Sequence, residues 1–532
     1  MPDAHCHLRI SLERRLADHA STEPLTDEPV AAYDILIVGS GPAGSTYARE
    51  LRDALPEASI LMVDSGPRLT SPAGTNVRNL SVEERGVAQR LSEGPTHAAP
   101  DGPVVARPGT HLVREFTGSS LQEGMPAAAM STNVGGMGAH WTCACPPPSG
   151  SEKVDFIDDA TQERAFDEAR RLLHVTQEGF PVAPTTQAVQ AVLSSLYDGE
   201  RAPALRVQPM PLACEPSGSA LPVWSGAGTI LGDLAADASG SGFELRERST
   251  CVRLLTDGDA VVGAEIRDLA TGVVSTVRAT WVVVAADSLR TPQLLWASGI
   301  RPTALGHYLN DQPQVVSAIE LEADKVDVRN SETAAGADLV DIRDQLTGVL
   351  WIPFDDASHP FHGQIMQMEA APIAVEGLVD PENRHLVTFG WFLPKELSFD
   401  DAVEFSSDEV DAFGLPAMAI RYSLTEEDER NVAEAIADID RAVESLGHYA
   451  EGGHARLLPA GSSLHYQGTY RMGPIDDGSS VCDPWSRVWG YRNLYLGGNG
   501  LIPTATACNP TLTSVSFAVL GAENLVQAAK NA

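Results

Sequence analysis

Apolar residues fall along this chain in two rhythms. The runs at 33–38, 59–63 and 281–286 are apolar almost without polar alternation, as strands buried on both faces should be. The stretches at 243–255, 260–266 and 273–284 read as further strands, with turn signals at Asp257-Gly258-Asp259 and Thr271-Gly272. A last strand is expected at 494–496, and candidate sheet segments at 348–353 and 385–393. The helical rhythm appears at 45–55, across 155–200 with Ala165, Ala169, Leu172 and Leu173 on one face, at 291–298, and at 425–446. The last of these carries Glu426, Glu427 and Asp428 in its first turn. Residues 66–130, rich in Gly, Pro, Ser and Ala, predict long loops.

Gly39-Ser40-Gly41-Pro42-Ala43-Gly44 sits where the first strand meets the first helix. Gly39 permits a tight turn, Gly41 lets a pyrophosphate reach the backbone, and Gly44 lets helix and strand pack closely. The second strand ends at Asp64, whose carboxylate would accept hydrogen bonds from an adenosine ribose, with Ser65 beside it. This order of strand, turn, helix, strand and acid predicts a bound dinucleotide, FAD or NAD. A second Gly-rich block, Gly135-Gly136-Met137-Gly138-Ala139-His140-Trp141-Thr142-Cys143-Ala144, allows close approach to something large and flat. Near the end, Asn509-Pro510-Thr511-Leu512-Thr513 reads as a loop turning into a helix, with Asn509 as N-cap and Pro510 at the first helical position. Such a helix start favours an anion.

Composition narrows the partners. The chain has 532 residues, 43% hydrophobic and 20% charged, room for two or more domains of a soluble globular protein. A net charge of −35 and a pI near 4.6 speak against nucleic acid and against an anionic membrane surface. The seven Cys are scattered and odd in number, which predicts free thiols, no disulfide framework, no zinc site and a reducing, cytoplasmic setting. Residues 1–30 are polar without an apolar segment after the arginines, so a mobile arm is expected and no secretory signal. No run is long and apolar enough to predict a membrane span.

Together these blocks resemble the glucose–methanol–choline (GMC) oxidoreductase superfamily. The closer likeness is to its pyranose oxidase branch, including shorter bacterial members that oxidise glycosides at C3. The likeness is carried by the 39–44 turn, the Gly135-to-Ala144 block, His465-Tyr466-Gln467-Gly468-Thr469-Tyr470-Arg471-Met472-Gly473, the Asn509-to-Thr513 block and His359-Pro360-Phe361-His362-Gly363-Gln364-Ile365. It implies an α/β fold, with a Rossmann-like FAD-binding domain plus a discontinuous substrate domain whose sheet is covered by helices. With the shifts in composition, this gives a mobile arm at 1–30 and FAD-binding parts at 31–150, 206–313 and 455–532. A cap segment at 151–205 and a substrate-binding domain at 314–454 complete the division.

The resemblance implies FAD as cofactor, held by Gly39, Gly41, Pro42, Ala43, Gly44, Asp64, Ser65, Gly136, Met137, His140, Trp141, Thr142, Cys143, Ala144, Cys251, Asn499, Asn509 and Thr511. It puts the catalytic pair on His465, whose imidazole can take a hydroxyl proton near working pH, and on Asn509, which would orient that hydroxyl. Thr142 and Gln364 are implied sugar contacts. The implied reaction oxidises a secondary hydroxyl, at C2 or C3, of a pyranose sugar or glycoside, C-glycosides included, and reduces O2 to H2O2. The alternative is a GMC-type sugar dehydrogenase that passes electrons to quinones or other non-oxygen acceptors. In fungal relatives the His matching His140 is joined covalently to the flavin, but here Gly138-Ala139 stand where those relatives have Ser-Thr. Met366-Gln367-Met368 and Leu386-Val387-Thr388-Phe389 also replace charged stretches. That implies a less charged sugar site with room for bulkier glycosides.

Overall fold

The computed structural model describes residues 30–92, 110–113, 124–180, 184–217, 222–236, 242–322, 324–326, 346–368 and 386–531. The arm expected at 1–30 lies, apart from Val30, outside them. The first sheet contains β1 (Ala31–Val38), β2 (Ile60–Val63), β3 (Phe243–Arg246), β4 (Ser249–Asp257), β5 (Ala260–Asp268) and β6 (Val274–Val284). Their spatial order is β4-β5-β6-β1-β2-β3, and the short strand Leu494–Leu496 also pairs with β6. β1 lies parallel to both β2 and β6, in the place the apolar runs require. The single strand expected over 243–255 is two strands on opposite edges of the sheet. Arg248, at φ 50°, turns the chain between them.

α1 (Pro42–Ala54) follows β1 directly. The helical stretch expected over 155–200 is α2 (Asp159–Leu173) and α3 (Pro184–Tyr197), parted by left-handed His174 and the short strand Val175–Thr176. α4 (Asp287–Ala297) begins before the expected 291. The described part of 66–130 is not all loop, because Val82–Ser92 is helical.

The second sheet contains β7 (Gln314–Leu321), β8 (Leu346–Ile352), β9 (His362–Met368) and β10 (Leu386–Phe392), antiparallel throughout and ordered β7-β10-β9-β8. The pair Gln208–Pro209 joins its β8 edge. Strand alternation gives this sheet two different faces. Ile365, Phe389 and Trp391 pack into the core against α3 and α5 (Glu426–Leu446). Gln364, Met366, Gly390 and Phe392 face a large cavity on the other side. α5 starts on a capping box between Thr425 and Asp428. Finally α6 (Thr511–Asn531) packs on α1, where a Cβ on Gly521 would lie 1.9 Å from the Tyr47 hydroxyl oxygen.

No described helix is long and apolar enough to cross a membrane. The six described cysteines are buried, with no disulfide among them.

The core face of the second sheet is pinned by one carboxylate. Asp438 of α5, 3% exposed, accepts from Trp391 Nε1 at 2.7 Å and Tyr197 Oη at 3.1 Å, and lies 3.2 Å from His359 Nε2. Removing it strands those groups away from water. Asp438→Ala is expected to cost about 3 kcal/mol, read as a lower thermal midpoint of the holoenzyme. Asp438→Asn, which keeps an acceptor oxygen, should cost less. An unchanged midpoint in the alanine variant would show that the sheet does not depend on this anchor.

Candidate active site

The Gly-rich turn is shaped by close approaches. A Cβ on Gly39, at φ 100°, would stand 2.2 Å from the Ala285 carbonyl oxygen, and one on Gly44 only 2.0 Å from that of Gly39. Gly41 differs, since a Cβ there would meet no protein atom within 4 Å. That open side faces a cavity of about 1030 Å³ between the two sheets. A Cβ on Gly136, at φ 52°, would come 3.1 Å from Gly41 Cα, so the two Gly-rich blocks meet here.

Every residue expected to contact cofactor or sugar lines this cavity except Gly44 and Cys143. Gly44 serves the packing of turn and helix. Cys143 is fully buried at φ 65°, with its thiol beside Asn76 Nδ2 and the Ser225 carbonyl. Its neighbour Thr142 is exposed to the cavity.

Asp64 is already engaged by the chain. Its carboxylate accepts from Ser40 N and Oγ, at 3.1 and 2.6 Å, and from Gly66 N at 2.8 Å. Burial raises its pKa against those bonds. Ser65 Oγ accepts from Thr250 Oγ1 at 3.0 Å, and burial pushes the Cys251 thiol up to about 12. The Trp141 indole N–H donates to the Ser225 carbonyl at 2.9 Å. His140 Nε2 lies 2.8 Å from Ser131 Oγ, which in turn bonds Asn133 Oδ1, and burial pushes the His140 pKa down to about 4.

At the other end of the cavity, His465 and Asn509 come together. Asn509 Nδ2 lies 3.2 Å from His465 Nε2. His465 Nδ1 lies 2.7 Å from Gln312 Oε1. Gln312 spends its amide N–H groups on Thr506 Oγ1 and the Cys508 carbonyl, at 3.1 and 2.7 Å, so its oxygen faces the ring. Nδ1 of His465 therefore carries a hydrogen, and Nε2 is the nitrogen on the Asn509 side. Phe392 stacks on the ring, with centroids 5.2 Å apart. Gln364 Nε2 lies 2.6 Å from Asn509 Oδ1. The helix starts one residue later than expected, with the Pro510 carbonyl accepting from Ser514 N. Asn509 thus spends its amide on Gln364 and His465 rather than on capping.

The groups that hold this pair lie outside the motifs named from the sequence. Asp311 takes the Gly461 and His465 N–H groups and the Ser463 hydroxyl, and burial pushes its pKa up to about 6. Glu152, 2% exposed, takes the Ala507 and Cys508 N–H groups, both at 2.8 Å. Its pattern Ser149-x-x-Glu152 is a capping-box signal that could have been read. Nothing local marks Asp311 or Gln312, since their partners lie about 150 residues and more away along the chain.

Comparison with known proteins shows the family. Family models described as GMC oxidoreductase match residues 225–314 and 402–518. A C-glycoside 3-oxidase of Arthrobacter globiformis is 45% identical, over 93% of this chain and 95% of that one. The chain belongs to the GMC oxidoreductases. Within them it falls in the pyranose oxidase branch. A pyranose 2-oxidase of Tricholoma matsutake is 29% identical, over 97% of each chain. A solved structure of formate oxidase from Aspergillus oryzae shares the fold, with a TM-score of 0.64, 14% identity, and coverage of 95% of this chain and 99% of that one.

This GMC oxidoreductase binds FAD and acts on CH–OH groups. The open side of Gly41 fits that cofactor, because it leaves space at the helix start that no protein atom fills. Gly41→Val is expected to fold yet lose FAD, because the protein has room for the side chain and a pyrophosphate does not. The ratio of flavin to protein absorbance checks this. A variant that keeps stoichiometric FAD would mean the turn does not cradle the phosphates.

Proposed function

We propose that this enzyme oxidises the C3 hydroxyl of a glycoside, C-glycosides included, to the ketone, and that O2 is the electron acceptor. The observation that carries the reading is the His465–Asn509 pair at the sugar end of the cavity. The second sheet lines that end with Gln314, Gln364, Met366, Gly390 and Phe392, none of them charged. Gly390, opposite Gln364 in register, leaves the wall low. Such a wall suits a neutral sugar with a bulky aglycone. Relatives named C-glycoside 3-oxidase, at 45% and 44% identity, favour C3 over C2.

In this mechanism His465 accepts the hydroxyl proton at Nε2. The Gln312 contact keeps Nδ1 protonated, so the lone pair stays on the reacting side. Asn509 holds the hydroxyl oxygen, and Gln364 holds the Asn509 amide. Thr142, exposed to the same cavity, is the further sugar contact in this reading. Bound FAD supplies the hydride acceptor and the electron path to O2. Burial of Asn509 and Gln364, each 5% exposed, keeps water from competing for their hydrogen bonds.

Two experiments test the site. Under anaerobic conditions an aryl C-glucoside should bleach the flavin of the wild type. His465→Ala and Asn509→Ala should keep FAD and slow bleaching about 10²–10⁴-fold. Normal bleaching in either variant removes that residue from the mechanism. In air, peroxide should appear in step with ketone. Dye reduction without peroxide would instead make the enzyme a dehydrogenase.

A second expectation concerns how the flavin is held. His140 Nε2 is engaged by Ser131 Oγ, and the ring is kept neutral. Acid precipitation should therefore release the FAD into solution. A yellow pellet would mean a covalent bond.

A further inference from the structure

Behind Asn509 a line of buried polar side chains runs into the second sheet. Trp351 Nε1 on β8 donates to His362 Nδ1 at 2.9 Å. His362 Nε2 lies 3.0 Å from the Gln364 amide, and the same amide atom lies 2.6 Å from the Asn509 amide. The other amide atom of Asn509 lies 3.2 Å from His465 Nε2. His362 is fully buried, and Trp351, Gln364 and Asn509 are each 5% exposed.

Both ends of this line have a fixed polarity. An indole N–H can only donate. Gln312 must show its oxygen to His465, because the Cys508 carbonyl takes its N–H. Burial pushes the His362 pKa down to about 3, which keeps the ring neutral. A neutral ring that accepts at Nδ1 must donate from Nε2. The Gln364 atom facing it is then best an oxygen. That oxygen also accepts from Asn509, which turns the Asn509 nitrogen toward Gln364 and its oxygen toward His465. The opposite orientation of the two amides keeps the same heavy-atom contacts and offers the His362 N–H the Asn509 oxygen, but it sets Gln364 N–H against His362 N–H at 3.0 Å. With an oxygen before it, His465 Nε2 is satisfied when it carries a proton. Nδ1 already donates to Gln312. The state in which every contact along the line is made is the imidazolium.

We propose that Trp351 and His362 are positioning residues that raise the proton affinity of His465, acting through Gln364 and Asn509. The inference rests on the proposed role of His465. The second hydrogen of the Asn509 amide remains for the sugar oxygen. When the sugar is oxidised, its hydroxyl proton goes to Nε2, and bound FAD would supply the acceptor for the C–H hydrogen and its electron pair. The transferred proton then completes the line. Among the described residues, His362 interacts with His465 across the line, Asp311 accepts from its backbone N–H, and Asp64, Arg78, Arg85, His140, Asp287 and Arg290 line the same cavity. Apart from His362 itself, the substitutions below leave all of these in place.

The test is a histidine NMR titration of the holoenzyme carrying 13C at the ring Cε1 positions, with His465→Asn to assign the signal. Trp351→Phe lets His362 hold its proton on Nδ1, which reverses both amides and satisfies a neutral His465. His465 should then titrate about one pH unit lower than in the wild type, a tenfold loss of proton affinity and the size of one net hydrogen bond. His362→Leu, which removes the donor to Gln364 altogether, should shift it the same way and serves if Trp351→Phe does not fold. Phe389→Leu, on the core face of the same sheet, controls for loosened packing and should leave the titration in place. An unchanged His465 titration in a folded, FAD-loaded Trp351 or His362 variant would overturn the inference, as would an equal shift in the Phe389 variant. No sugar is needed, so failure of turnover would sink the proposed function without touching this result.

Discussion

The site depends on two consecutive buried side chains that bind opposite loops. Asp311 gathers the backbone of the His465 loop, and Gln312 ties the His465 ring to the loop that ends at Asn509. Together they stand where the chain leaves the first sheet for the second. Glu152 clamps the Asn509 loop from the other side. Backbone N–H groups buried in this way must find acceptors, and here the acceptors come from distant parts of the chain. The distance between the two candidate catalytic groups is therefore set by hydrogen-bond completion rather than by packing alone. Leu464, at φ 62°, shows how sharply the chain bends to present His465.

The second constraint is strand alternation. One face of the second sheet closes on α3 and α5 through Ile365, Phe389 and Trp391. The other face is left to the cavity and carries Gln364, Met366, Gly390 and Phe392. The same strands thus build a core and the wall proposed to hold the sugar without extra elements. A shift of one residue in β9 would exchange those faces. The anchor at Asp438 therefore bears on the reaction although it lies on the far side of the sheet.

The FAD half was the more legible in the sequence, because its signals are local. Gly39, Gly41 and Gly44 announce a turn whose reasons differ residue by residue, and the structure separates them. Gly41 leaves space, while Gly39 and Gly44 avoid collisions. The strand-helix order around them was readable from apolar runs. Arg248 was not, because a left-handed Arg carries no compositional mark. Nor was the break after Leu173, which rests on His174 adopting the same conformation. At the sugar end, His465, Asn509 and Gln364 were reached through family likeness rather than through spacing. The groups that orient them escaped notice because each acts through a partner far along the chain. His362 lay inside a stretch already singled out, yet its neighbour Trp351 becomes meaningful only when β8 and β9 are paired.

The claim at the centre of this account is that the His465–Asn509 pair presents one particular sugar hydroxyl to the flavin. Its most direct test is the regiochemistry of the product. An aryl C-glucoside should be turned over in air and the mixture examined by 13C NMR without work-up. A single ketone at C3 is expected, with the C-glycosidic bond intact. A ketone at C2, or no oxidised sugar from an FAD-loaded enzyme, would contradict it.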